Sequence, residues 1–167
     1  MRTLLLSALL TVALALGLAS PANAQTTGVP GVNDYTIAGF GSGSTSCTFF
    51  APPIGGGWPM SVSATGPGLP VLFHYAIVGI VPGCVPGFFP LAPLPCVPFL
   101  LPHSIDIVLG AGSIPFGSFA AFTGAGGVAT VVAPPFAPLG LTVTTQAYVI
   151  DPTCGGLVAT QAYTLAL

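Results

Sequence analysis

Short runs of β-forming residues, separated by clusters of glycine and proline, follow one another along the chain from residue 35 onward. The runs combine apolar residues with Ser, Thr, Gln and Tyr, and in the run Val143–Ile150 successive residues would line opposite faces of a strand. Clusters such as Gly55-Gly56-Gly57 and Gly66-Pro67-Gly68 are typical of the turns between strands. The pattern predicts about eight or nine short strands, at Tyr35–Phe40, Cys47–Phe50, Met60–Thr65, Val71–Val81, Ser104–Leu109, Ser118–Thr123, Val128–Ala133, Leu141–Ile150 and Val158–Leu167.

This succession of strands predicts the fold class. No stretch beyond residue 25 combines a helical apolar stripe with capping residues at its ends. We therefore expect an all-β chain whose strands form an antiparallel sandwich, of the immunoglobulin-like or jelly-roll-like kind. Residues 25–167 are long enough to form a single sandwich domain with its own core.

The clearest element is a hairpin at the C-terminal end. The odd-numbered residues from Val143 to Val149 form one face of its first strand, and the even-numbered residues from Thr144 to Ile150 form the other. The sequence Thr-Gln-Ala-Tyr at 145–148 recurs at 160–163, and the residues between the two copies, 151–156, are typical of a turn. Two similar strands around a turn predict a hairpin, and a four-residue echo in so biased a composition does not indicate a duplicated domain.

The segment Leu141–Pro152, followed by a glycine-bearing turn and a last strand, resembles the closing hairpin of exported bacterial β-sandwich proteins that have no assigned function. The resemblance covers residues 141–167, and this chain differs in placing Cys154 in the turn. It implies an exported β-sandwich and transfers no catalytic residue.

The N-terminal residues have the pattern of a secretory signal peptide. Met1-Arg2 is followed by an uncharged apolar run from Thr3 to Ser20 and by the small-residue site Ala22-Asn23-Ala24. We expect a signal-peptide helix at residues 1–24, its removal, and a mature protein that is secreted or held at the cell surface. An uncleaved N-terminal anchor is the alternative.

Residues 82–102 are rich in proline, from Pro82 to Pro102. Proline at these positions is incompatible with a membrane-spanning helix, so we expect no transmembrane span in the mature chain. The segment is expected to be an extended, polyproline-like loop that covers a sheet edge or, alternatively, recognises a partner.

The chain has four cysteines, Cys47, Cys84, Cys96 and Cys154. An even number in an exported chain predicts two disulfides, for which three pairings exist. Because Cys84 and Cys96 flank the proline-rich segment, we expect them to pair, which leaves Cys47 with Cys154. A four-cysteine metal site is the weaker interpretation, because no C-x-x-C spacing occurs.

Charge is almost absent. Arg2 is the only cationic residue among Lys and Arg, and Asp34, Asp106 and Asp151 are the only acids, so 2% of residues are charged while 53% are hydrophobic. Without cationic side chains the mature chain cannot bind nucleic acid or anionic lipid through phosphate contacts. The high apolar content predicts a folded chain despite the many glycines and prolines.

Three residues are candidates for ligand contact: Trp58, His74 and His103. Trp58 follows three glycines and is expected either to stack on a sugar or to close one end of the core. His74 and His103 are candidate ligand or metal contacts, with a hydrogen-bonded or solvent-facing histidine as the ordinary alternative.

The segment His103-Ser104-Ile105-Asp106 holds the best set of catalytic residue types, but a strand would place Ser104 and Asp106 on one face and His103 on the other. Asp106 is expected at the surface or capping a turn, and Asp34 and Asp151 are expected to bind local backbone amides. We predict no catalytic residues, no metal and no cofactor.

These observations predict a non-enzymatic, exported structural or surface-associated protein. Its partners would be further copies of itself or a cell-surface or matrix polymer. A carbohydrate- or surface-binding module is the alternative, and a small outer-membrane β-barrel is the third interpretation.

Overall fold

The computed structural model describes residues 29–44, 47–51, 57–78, 84–97, 103–107, 114–133 and 140–166. The expected signal peptide, residues 1–24, lies outside the described residues. The described segments contain no helix long and apolar enough to span a membrane. They form ten strands: β1 (Asp34–Ile37), β2 (Thr48–Phe50), β3 (Trp58–Ser63), β4 (Pro70–Val78), β5 (Cys84–Leu91), β6 (His103–Ile107), β7 (Ile114–Phe122), β8 (Val128–Ala133), β9 (Thr142–Asp151) and β10 (Gly156–Ala166). Every run predicted from the sequence overlaps one of these strands, so the all-β prediction is confirmed.

Two of the sheets lie face to face. One has the strand order β1-β3-β8 and the other the order β2-β10-β9-β4-β7. Neighbours are antiparallel, except that the short β2 runs parallel to β10. Buried side chains of both sheets meet in one cluster, which includes Tyr35, Met60, Val62, Phe73, Val149 and Tyr163. The expected sandwich of antiparallel sheets is confirmed.

A third sheet, formed by β5 and β6, lies against the other side of the five-stranded sheet, where β6 contacts β9 and β10. We call this side the outer face. Because the small sheet covers it, Thr144 and Gln146 of β9 are as buried as Val143 and Ala147 on the core side. Ile150 lies nearer the end of β9 and is exposed.

The C-terminal hairpin forms as expected. Asp151 caps a single 3-10 turn at Pro152–Cys154, and Gly155, with a φ of 88°, ends it. Between Ala159 and Ala162 the pairing of β10 with β9 is interrupted by a bulge. There the Thr160 hydroxyl accepts a hydrogen bond from the Ala147 N–H at 3.1 Å and donates one to the Ala147 carbonyl at 3.0 Å. A side chain thus supplies bonds that the interrupted ladder lacks.

The proline-rich segment differs from the expectation. Its residues Cys84–Leu91 form strand β5, which pairs with β6 and has an irregular register between Cys84 and Phe89. Proline is tolerated in a strand at an edge or at a bulge, where no ladder N–H is needed. The prediction of an extended, polyproline-like loop across 82–102 is therefore wrong for the residues of β5. The residues that follow the strand contribute Leu94 and Val97 to the core.

The disulfide pairing also differs from the expectation. Cys47 is bonded to Cys84 and Cys96 to Cys154. The predicted Cys84–Cys96 bond was based on nearness in sequence and is wrong. Cys84 pairs with Ile107 at one end of β5 and Leu91 pairs with His103 at the other end, so the strand carries the chain roughly 13 Å away from Cys84 before Cys96 is reached. One bond ties β2 to β5, and the other ties the segment after β5 to the turn between β9 and β10.

Non-reducing digestion with chymotrypsin tests this pairing. Cleavage after Phe88, which is exposed, separates Cys84 from Cys96, whereas Pro90 blocks cleavage after Phe89. Mass spectrometry is expected to find one linked pair of peptides with Cys47 and Cys84 and a second with Cys96 and Cys154. A linked pair that contains Cys84 and Cys96 would contradict the structure. Trypsin is no substitute, because the chain has no Lys or Arg beyond Arg2.

Candidate functional site

Trp58 is the first residue of β3 and lies inside the sandwich, with 3% of its surface exposed. It belongs to the core cluster between the two large sheets. The expectation that it closes part of the core is confirmed, and the exposed sugar-stacking platform is not formed at this position. Trp58 also lies on the opposite side of the five-stranded sheet from the outer face.

His74 lies on the outer face, because its neighbours Phe73 and Tyr75 on β4 point into the core. Its Nδ1 is 2.8 Å from the Ser118 hydroxyl of β7, and its ring centroid is 6.4 Å from that of Tyr148. Burial lowers the pKa of this imidazole below 6.5. His74 is therefore a neutral, hydrogen-bonded residue of the sheet at physiological pH.

His103 begins β6 and is buried, with 2% of its surface exposed. Its Nε2 lies 3.2 Å from the Leu157 carbonyl, which only accepts, so Nε2 carries the proton. Burial lowers the pKa of this imidazole below 6.5, although the carbonyls of Leu157 and Ala92 act in the opposite direction. His103 thus helps to hold the small sheet against β10.

Gln146 joins β6 to the outer face. Its Oε1 accepts from the Asp106 N–H at 2.9 Å, and its Nε2 donates to the Ser104 carbonyl at 2.9 Å. The side-chain amide therefore occupies the place that a neighbouring strand would take beside β6. Nε2 donates in addition to the Thr160 carbonyl at 2.7 Å.

Asp106 is buried, so its expected place at the surface or at a turn is wrong. Its carboxylate accepts from the Ser104 hydroxyl and, at 3.0 Å, from the Gly87 N–H of β5. The contact between the two side chains confirms that Ser104 and Asp106 share one face of the strand. These groups hold the small sheet together and leave His103 bonded elsewhere.

Gln161 makes the same contact on the core side of the sheet. Its Oε1 accepts from the Tyr35 N–H at 3.2 Å, and its Nε2 donates to the Tyr35 carbonyl and to Asp34, both at 2.6 Å. The two copies of Thr-Gln-Ala-Tyr thus each place one amide against the backbone of a strand in another sheet, on opposite faces of the five-stranded sheet. The sequence analysis did not single out either glutamine, although the repeated Thr-Gln-Ala-Tyr could have pointed to both.

Asp34 and Asp151 are buried as well. Asp34 accepts from Gly31 N–H, Gly43 N–H and the Ser42 hydroxyl in addition to Gln161. Asp151 accepts from Asn33 at 2.9 Å, from Thr65 at 2.6 Å, and from the amide and hydroxyl of Thr153. The bonds to Gly31, Gly43 and Thr153 confirm the expected capping of local amides.

The pKa of Asp151 shows whether burial or hydrogen bonding has the stronger effect on this carboxyl group. Burial acts to raise this pKa, but the donors Thr65, Thr153 and Asn33 outweigh burial and lower the pKa below 3.8. The ionised form is thus the one that the folded chain prefers. Asp151 acts as an ionised hydrogen-bond acceptor that joins the approach to β1, the turn after β3 and the β9–β10 turn.

The described surface is apolar and lacks charge. All three acids are buried, and the chain has no Lys, Arg or Glu after Arg2, so no side chain of these types is exposed in the described segments. Large apolar side chains are exposed instead, among them Phe40, Phe49, Phe88, Phe89, Phe119, Phe122 and Val132. On the outer face, Leu72, Phe122, Ile150 and Leu157 are each at least 40% exposed. We call these four residues the outer patch.

The structure does not bring Trp58, His74 and His103 together. The described residues contain no group of three or more His, Cys, Asp or Glu side chains that is arranged to hold a metal ion. What the arrangement offers to a partner is apolar contact and, at sheet edges, backbone hydrogen bonding. The outer patch is therefore the best candidate for a functional surface in the described part of the chain.

Acid is expected to destabilise the protein in two steps. Both histidines have a folded pKa below 6.5, so the unfolded chain binds more protons and stability falls as the pH drops below that value. Asp151 stabilises the fold above 3.8, and its contribution is lost as the pH falls through its lowered pKa. Urea unfolding between about pH 7.5 and pH 2.5 measures both steps.

Matched variants show which residues cause each of the two losses of stability with falling pH. The double variant His74→Gln/His103→Gln is expected to lose the slope just below pH 6.5 and to keep the slope at lower pH, and Asp151→Asn is expected to do the reverse. Asp151→Asn should also lower the unfolding free energy at neutral pH by about 1–3 kcal/mol, because an amide group replaces an acceptor oxygen. A wild-type stability that is flat from pH 7 to pH 5 would contradict the burial of the histidines.

Comparison with protein-family models, with curated protein sequences and with solved structures finds no match to this chain.

Proposed function

We propose that this chain is a non-enzymatic structural protein that is exported from the cell and associates with copies of itself at the cell surface or in an extracellular matrix. The observation that carries the proposal is the described surface, which exposes phenylalanine and aliphatic side chains and no acidic or basic ones. Soluble domains ordinarily keep about a quarter of their surface charged, which discourages association. That protection is missing here.

Two disulfides support export. Such bonds form and persist in oxidising compartments and are rare in the cytosol. Each is expected to stabilise the fold by roughly 4 kcal/mol, since the closed loops span 37 and 58 residues of sequence. A protein that works outside the cell, without chaperones, benefits from this stabilisation.

The use of the polar residues supports a structural role. Asp34, Asp106 and Asp151 bind donors of their own chain, and the two buried glutamines bind the backbone of neighbouring strands. Catalytic groups have to reach a substrate in a cleft. Here these side chains bond to other groups of the chain, either within a sheet or between sheets.

The carbohydrate-binding alternative began from an exposed Trp58. Because Trp58 is buried in the core, this alternative would have to rely on other aromatic residues. The exposed aromatic rings are phenylalanines, whose uncharged faces suit an apolar partner as well as a sugar. Self-association therefore remains the better-supported proposal.

Sedimentation equilibrium of the oxidised, exported protein tests the proposal. We expect reversible, concentration-dependent association that changes little between about 0.05 M and about 0.5 M sodium chloride, because no surface ion pairs are available for screening. Sodium sulfate is expected to strengthen the association, as it strengthens apolar burial. A protein that stays monomeric at millimolar concentration in both salts would contradict self-association.

A further inference from the structure

We propose that two copies of this chain associate through the outer edge of strand β7, which pairs antiparallel with β7 of the second copy. The inference rests on the proposed self-association and names the surface that performs it. The pairing would join two five-stranded sheets into one continuous sheet.

Strand β7 lies at the edge of the five-stranded sheet. It is the last strand in the order β2-β10-β9-β4-β7, so only β4 pairs with it among the described strands. At its end, Thr123 N–H donates to the Leu69 carbonyl and the Thr123 carbonyl accepts from Gly68 N–H. Thr123 therefore turns both backbone groups toward the β4 side.

Because backbone groups of successive residues in an antiparallel strand point to opposite sides, Thr123 also determines the direction of the N–H and C=O groups of the preceding residues. Ala121 and Phe119 turn their N–H and C=O groups toward β4, as Thr123 does, and Ser118, Ala120 and Phe122 turn theirs away from it. These last three residues present a ready ladder to another strand. Their side chains lie on the outer face, since Ser118 and Ala120 are opposite His74 and Leu72 of β4.

Part of the β7 edge lacks the features that keep an edge strand from pairing with another chain. Natural proteins block edge strands with lysine, proline, bulges or a covering element. β7 has Pro115 and an irregular register near Gly117 in its first half. The stretch Ser118–Phe122 has a regular register, no charge and no proline. The unprotected part of the edge is therefore five residues long.

A second copy fits this stretch. A two-fold axis at Ala120 pairs Ala120 with Ala120, Phe119 with Ala121, and Phe122 with Ser118. Each phenylalanine then lies opposite a small side chain, so the rings have room on both faces of the joined sheet. The same axis pairs the three residues whose backbone groups face outward with one another, as an antiparallel ladder requires.

Apolar burial favours the same arrangement. Phe119 is 55% exposed, with its ring 5.6 Å from that of Tyr75, and Phe122 is 69% exposed. Covering these rings in both copies removes on the order of 400 Å² of apolar surface from water. This area is well below the roughly 1,200 Å² of a standard stable interface, so the dimer is expected to be reversible. A charged partner would gain no ion pair here, whereas a second copy is chemically matched.

Other edges of the described sheets are less suitable. β2 has three residues, and β8 belongs to the smaller sheet, away from the outer patch. Pairing at β7 brings the outer patches of two copies onto one continuous sheet face.

The experiment uses Ala120→Lys, with Val132→Lys as its matched control. Ala120→Lys places two like charges opposite each other at the two-fold axis, which opposes pairing. Val132 is 68% exposed on β8, and its substitution adds the same charge to the edge strand of the other sheet. Ala120→Lys is expected to weaken the dimer at least tenfold in sedimentation velocity, and Val132→Lys to change it less than threefold. Unchanged circular dichroism and disulfides show that both variants fold.

Amide hydrogen exchange adds a readout that folding alone does not move. In dilute wild-type protein the amides of Phe119 and Ala121 are expected to be protected and those of Ser118, Ala120 and Phe122 to exchange fast. At high concentration all five should be protected. Association that persists in Ala120→Lys, or concentration-independent exchange at the three outward amides, would overturn the edge pairing and leave self-association standing. A wild-type protein that stays monomeric would overturn both.

Discussion

The structure depends on where its three carboxylates lie. A buried carboxyl group is costly unless hydrogen-bond partners surround it, because burial removes it from water. With no Lys or Arg available after Arg2, the donors have to be amides and hydroxyls of the chain itself. Asp34 and Asp151 gather such donors from segments in different layers of the fold, and Asp106 gathers them from the two strands of the small sheet. The same arrangement leaves the described surface without acidic or basic side chains.

Two glutamines extend this principle to the middle of the molecule. The five-stranded sheet has a neighbouring sheet on each face, and backbone groups of β1 and β6 approach it where no ladder partner is present. Gln161 and Gln146 supply the missing donor and acceptor from their side-chain amides. Because an amide has the same polar groups as a peptide unit, it satisfies a strand without extending the sheet. The two disulfides then fix the small sheet and the final turn to the rest.

Much of the fold followed from local pattern, since runs of β-forming residues between clusters of glycine and proline can be identified without knowledge of long-range contacts. It placed β8 at its observed bounds and the hairpin of β9 and β10 within a few residues. The local pattern gave wrong predictions where contacts between residues distant in sequence determine the structure. The prolines of β5 were taken as evidence against a strand, and the nearness of Cys84 to Cys96 in sequence gave the wrong disulfide. The charge of Asp106 suggested an exposed side chain, whereas partners from β5 and β6 bury it. The role of the repeated glutamines required the third sheet, which sequence reasoning did not anticipate.

Carbodiimide coupling of an amine to accessible carboxylates tests the burial of the acids directly. The chain suits this reaction because it has no lysine to form internal crosslinks. In the native, oxidised protein Asp34, Asp106 and Asp151 are expected to stay unmodified, whereas all three react after reduction and unfolding. Modification of any aspartate in the native protein at the rate seen in the unfolded chain would contradict the account.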